Sequence, residues 1–225
     1  MNGKVIIGAV VALVLGLGGG YALASSMNGG EETNNSSQTT SNASPTTDTK
    51  AADLRVVLNS LEREHVHLAS QATRNGFDGS SDFEASAGAL DQNSVEISQA
   101  VGSVYGPEAE AQFLEIWRSH IGFFVDYTTA AKAGDIAGMD EAVKNLGGYV
   151  DAISDFFSEA NPNLPREAEH QLVSDHVALL KAAVDTYGAG DYAGSYAKER
   201  EADQQIGTIA DTTAGAIVKQ YPEKF

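Results

Sequence analysis

Three textures follow one another along the chain. Val5 to Ala24, "VIIGAVVALVLGLGGGYALA", is an unbroken run without a charged residue. Ser25 to Lys50 is nearly devoid of apolar positions and consists mostly of Ser, Thr, Asn and Gly. From Ala51 to Phe225 apolar residues return every three or four positions, which is the period of one helix face. No stretch of that region alternates apolar and polar residues as a half-buried strand does.

Three stripes stand out within the third region. The first is Leu54, Leu58, Leu61, His65, Leu68 and Ala72. The second is Phe113, Trp117, His120, Phe124, Tyr127 and Ala131. The third is Leu172, His176, Leu179 or Leu180, Ala183 and Tyr187. Each stripe is apolar except for one histidine near its middle.

The stripes are in register. His65, His120 and His176 lie 55 and 56 residues apart. Leu61, Ile116 and Leu172 stand four positions before them, and Gly79, Gly134 and Gly190 stand fourteen after. "GDIAG" and "GDYAG" then follow the second and third histidines. This spacing predicts a threefold internal repeat of about 55 residues. Each unit reads as an αα-hairpin whose first helix ends at the glycine. Ser80 or Ser81, Asp135 and Asp191 are the expected N-caps of the second helices, with "SDFE" as a capping box over Ser81 and Glu84. Pro162 and Pro165 separate the second unit from the third. The expected fold class is all-α: a six-helix bundle of three αα-hairpins over residues 51–225.

The first texture changes where that bundle sits. Twenty uncharged residues are enough to span a bilayer as a helix. Lys4 precedes them and no Lys or Arg follows until Lys50, so the positive-inside rule places the rest outside the cytoplasm. The expected organisation is a signal anchor at 1–24, a flexible stalk at 25–50 and an extracytoplasmic domain at 51–225. "ALA" at Ala22 to Ala24 offers the alternative of a cleaved signal peptide and a secreted protein.

Composition narrows the chemistry. The 225 residues carry 31 Asp and Glu against 14 Lys and Arg, for a net charge of −17. Such a surface repels nucleic acid and anionic lipid headgroups, so contact with a membrane is expected only through the N-terminal segment. There is no cysteine, which excludes disulfides, thiolate metal sites and thiol nucleophiles. Phosphate-binding loops, dinucleotide fingerprints and nucleophile elbows are absent from the sequence.

A buried imidazole needs partners for both ring nitrogens. Two solutions are open for His65, His120 and His176. Each ring can be hydrogen-bonded within the core, with Asn93 and Tyr149 as candidate partners. Alternatively, three neutral imidazoles from equivalent positions can hold a transition metal ion such as copper, with Asn93 and Tyr149 in support. A different metal pattern competes. Glu62 to His65 and Glu167 to His170 both read E-x-x-H, as in di-iron bundles, with Glu84, Glu96 or Glu141 as further carboxylates. That pattern predicts a ferritin-like oxidase through Glu62, His65, Glu167 and His170. His67 points away from His65 and is expected at the surface.

The segments "LxxLxxEHxxLA", "ALDQN", "VYG", "FxxxWxxHIxxFxxYTxAAKAGD", "DHVxLL" and "VKQYPEKF" give the domain a resemblance to a group of exported bacterial helical proteins. Some of these are labelled copper amine oxidase-like. The resemblance implies an exported all-helical domain with recurring histidines, and it hints at copper. It carries over no catalytic residue, since no Asn-Tyr pair occurs in the chain. The functional expectation is a membrane-tethered binding or sensing domain, with the oxidase and a ligand-free structural interaction module as alternatives.

Overall fold

Helix ends in this chain are set by a few small residues. The computed structural model describes residues 47–225, of which Asp48–Phe225 form one compact unit. They fold into six helices and no strands: α1 (Lys50–Asp78), α2 (Phe83–Tyr105), α3 (Pro107–Ala133), α4 (Ile136–Ala160), α5 (Arg166–Gly188) and α6 (Tyr192–Gln220). The apolar run Val5 to Ala24 lies outside the described residues. Among the described helices none is long and apolar enough to cross a membrane.

Thr49 caps α1 by accepting a hydrogen bond from the Ala52 amide. Asp135 and Asp191 do the same for α4 and α6, accepting from Gly138 and Gly194. These two caps explain the shared "GDxAG" pattern. A Cβ on Gly194 would stand 2.2 Å from an Asp191 carboxylate oxygen, and one on Gly138 would stand 2.8 Å from that of Asp135. The expected capping box at Ser81 and Glu84 does not form. Asp82 is the residue before α2, it makes no side-chain cap, and its carboxylate accepts from the Ser80 hydroxyl instead. Gly79, Gly134 and Gly190 all adopt positive φ, between 68° and 78°. They occupy the left-handed region that lets the chain leave one helix and enter the next.

The odd-numbered helices α1, α3 and α5 pack on one another. Each even-numbered helix packs on the two odd-numbered helices beside it in the chain, and α6 closes the ring against α1. The histidine stripes of α1, α3 and α5 therefore face a common interior. One apolar cluster, containing Phe113, Trp117, Ile153, Phe157 and Val173, occupies one side of the histidine level. A second, containing Val66, Phe124, Leu146, Leu180 and Ile206, occupies the other.

Candidate functional site

His65, His120 and His176 are all buried, as their place on the apolar stripes demands. His65 Nε2 and His120 Nε2 face each other 3.4 Å apart. With one of them protonated this is a long N–H···N hydrogen bond. With both bare, two lone pairs address one point. Trp117 lies against both rings, with centroids 4.9 Å from His65 and 4.8 Å from His120. Tyr149 stacks on His120 at 4.5 Å. Its contact with His120 is ring on ring, so Tyr149 packs on the imidazole.

His176 is held differently. Its Nδ1 is 2.9 Å from Gln205 Oε1, and the Gln205 amide donates to the Leu172 carbonyl. Gln205 can thus only accept from His176, which places the proton on Nδ1 and leaves Nε2 as a bare acceptor. That Nε2 is buried and has no partner. Asn93 is buried beside His65, but its amide donates to the Leu61 carbonyl and to Glu64. Its Oδ1 and His65 Nδ1 both lack a hydrogen bond of normal geometry.

Two carboxyls complete the interior. Glu62 is 7% exposed and Glu169 is 1% exposed, and one oxygen of each has no partner. Both line a cavity of about 40 Å³ together with the three histidines. His65 Nδ1, His120 Nδ1, His176 Nε2, Trp117 Nε1 and Thr213 Oγ1 also lack partners and belong to residues lining this cavity. The buried polar atoms left unpaired in the described residues are concentrated at this one place. Native interiors pair nearly all such groups, so a cluster of them needs an explanation.

Burial sets the charge state. It pushes His120 down to about 3, helped by His176. It pushes His176 down to about 4 against the pull of Gln205. His65 lies well below the usual imidazole range through burial and its two histidine neighbours, with Asn93 pulling the other way. Glu62 is pushed up to about 8 by burial and by Glu169, and Glu169 is itself raised by burial. Near neutral pH the interior therefore holds three neutral imidazoles and a protonated Glu62. Neutral imidazole is the form that ligates metal.

Among the described residues no group of three or more His, Asp or Glu side chains is already arranged to hold a metal ion. His65 and His120 form a pair, and His176, Glu62 and Glu169 line the same cavity without closing on it. The di-iron constellation is not formed. Glu167 is exposed, and His170 sits at the outer surface with Nε2 3.6 Å from Asp151. Glu84 and Glu141 are exposed, and Glu96 is engaged by Gln92. The second E-x-x-H motif fails because the helix turns it outward. The buried acid of α5 is Glu169, seven residues before His176 and so on the same face. Extending the α5 stripe backwards through Val173 would have found it. Gln205 carries no sequence signal of this kind, because it reaches His176 from α6. His67 is exposed, as expected.

No family model matches the chain, and neither the curated proteins nor the solved structures contain a match.

Proposed function

We propose that residues 51–225 form an extracytoplasmic metal-binding or metal-sensing domain, tethered through the N-terminal apolar segment and spaced from the membrane by residues 25–50. We read the six helices as three copies of one hairpin, each offering one imidazole at mid-height. The ion is a late first-row metal such as copper, which suits imidazole nitrogen.

The observation that carries this reading is the separation of His65 Nε2 from His120 Nε2, 3.4 Å. Two metal–nitrogen bonds of about 2.0–2.1 Å at a tetrahedral angle put their nitrogens roughly 3.3–3.4 Å apart. The pair is thus spaced as two ligands of one ion. His176, oriented by Gln205, supplies the third nitrogen through its bare Nε2, on a residue that lines the same cavity. Glu62 and Glu169 supply carboxylates able to neutralise a buried divalent ion, which would otherwise be costly to desolvate. Binding would then release the Glu62 proton.

The test is metal content by mass spectrometry on the full chain, purified without a histidine tag and offered copper, zinc, nickel and iron. One ion per chain is expected, with loss of binding in His65→Ala and His120→Ala variants that keep the wild-type helical circular dichroism. A second reading is favoured by the incomplete arrangement of ligands: the two rings hydrogen-bond each other and the domain is a structural interaction module. Wild-type protein that stays metal-free under all four ions would establish that reading instead.

A further inference from the structure

A second and larger cavity, of about 330 Å³, opens beside the first, toward the end of the bundle where α1 and α3 finish and α2 begins. Its walls are mainly apolar, with Phe77, Phe83 and Phe124 as aromatic and Leu90, Leu180 and Val184 as aliphatic parts. His65 and His120 also line it, so it meets the histidine level. Close-packed interiors leave few voids larger than a water molecule. A dry cavity of about 150 Å³ is enough to admit benzene, so this one has room for roughly two fused rings.

Ser70 gives the cavity a specific polar feature. The buried hydroxyls of Ser94, Thr128 and Ser154 return to a carbonyl four residues back, on Leu90, Phe124 and Val150. Ser70 does not. Its Oγ is buried and has no hydrogen-bond partner, and Ser70 is one of the residues that line the cavity. The one charged side chain in the lining, Arg74, is already committed. It pairs with Glu199 at 2.6 Å and lies over the Tyr196 ring at 4.1 Å. The lining therefore offers no free charge to an ionic ligand. Gly76 and Gly188 keep the aromatic walls close, since a Cβ on either would stand 3.1 Å from the Phe83 or Phe77 ring.

We propose that this cavity binds a neutral, mainly apolar molecule of about two rings bearing one polar oxygen, which Ser70 hydrogen-bonds while the rings fill the aromatic walls. The site stands on the cavity and on Ser70, and it does not depend on the metal reading. If both hold, the ligand lies next to the metal.

The test is calorimetric titration of 2-naphthol and of naphthalene into the full chain held in lipid nanodiscs, with protein-free nanodiscs subtracted, both with EDTA and after metal loading. One saturable site is expected under both conditions. Ala87→Phe, which fills the cavity from α2, abolishes it. Ser70→Ala weakens 2-naphthol about five- to tenfold, the worth of one hydrogen bond, and leaves naphthalene within about twofold. No saturable signal in the wild type overturns the proposal, as does undiminished binding in a folded Ala87→Phe variant. If Ala87→Phe does not fold, Ser70→Ala decides: equal loss for both probes, or loss for neither, also overturns it. Metal binding is read separately by mass spectrometry, so failure of one site leaves the other visible.

Discussion

Gln205 fixes what His176 can do. Its oxygen accepts a hydrogen bond from His176 Nδ1–H and its amide donates to the Leu172 carbonyl, so the side chain cannot flip without losing both bonds. Partners of this kind set ring orientation and ligand basicity, and their loss typically costs ten- to a hundredfold in metal affinity. Gln205→Ala should therefore weaken metal binding about tenfold while His67→Ala, at the surface, leaves it unchanged. Competition against a chromophoric chelator measures both, and equal affinities in the two variants would remove His176 from the site. Trp117 provides an independent readout. It is the chain's single tryptophan, and its ring centroid lies 4.9 Å from that of His65 and 4.8 Å from that of His120. Stoichiometric Cu²⁺ bound by that pair should quench its fluorescence, and redox-silent Zn²⁺ should quench it far less. Quenching that survives His120→Ala would place the copper elsewhere.

At the scale of the helix, the caps decide which glycines are required. Gly194 donates its amide to Asp191, and a methyl group there collides with the same carboxylate. Gly194→Ala should release the cap and cost about 1 kcal/mol or more, despite alanine's better helix propensity. A methyl group on Gly147, within α4, would meet no atom within 4 Å, and Gly147→Ala should stabilise by about 0.5–1 kcal/mol. Opposite shifts of the denaturant midpoint are the check, and shifts of the same sign would discard the cap as the reason for the "GDxAG" glycines. These caps also show how far the sequence can be read. Stripes at helical spacing, Pro162 with Pro165, and an acid after each of Gly134 and Gly190 mark helices and their ends, because those signals are local. The capping box expected at Ser81 does not form because Ser80 and Asp82 satisfy one another first. Which acid on α5 is buried cannot be settled by the E-x-x-H spacing alone: Glu167 and Glu169 differ only in helix phase, and the packing of α5 on α1 and α3 selects Glu169. The reach of Gln205 from α6 to His176 is a tertiary contact across 29 positions and has no local sign.

For the molecule as a whole, the buried cluster makes stability depend on pH from both sides. The three histidines have folded values far below the ordinary 6.5. Below pH 6.5 the unfolded chain takes up protons that the folded core refuses, so stability falls with acidification at about 1.4 kcal/mol per pH unit for each histidine. Glu62 acts with the opposite sign. Its folded value of about 8 exceeds the ordinary 4.5, so between those limits the folded state holds a proton that the unfolded state has lost. Stability from this group is full below pH 4.5 and is lost as pH rises through 8. Glu169, also raised, adds to the same limb. Below 6.5 three histidines outweigh two carboxyls, and above 6.5 only the carboxyls change. Metal-free protein should thus be most stable near pH 6.5 and weaken on either side. Glu62→Gln removes the group responsible for much of the alkaline loss without touching the imidazoles. Urea unfolding of the metal-free chain from pH 5 to 9 should show the alkaline limb flattened in that variant and the acid limb steepened, because the proton that Glu62 holds in the folded state no longer offsets the histidines. An alkaline limb that persists in full would mean that Glu62 is ionised in the folded core, with a counter-charge that its surroundings of imidazole, tyrosine and tryptophan do not provide at neutral pH.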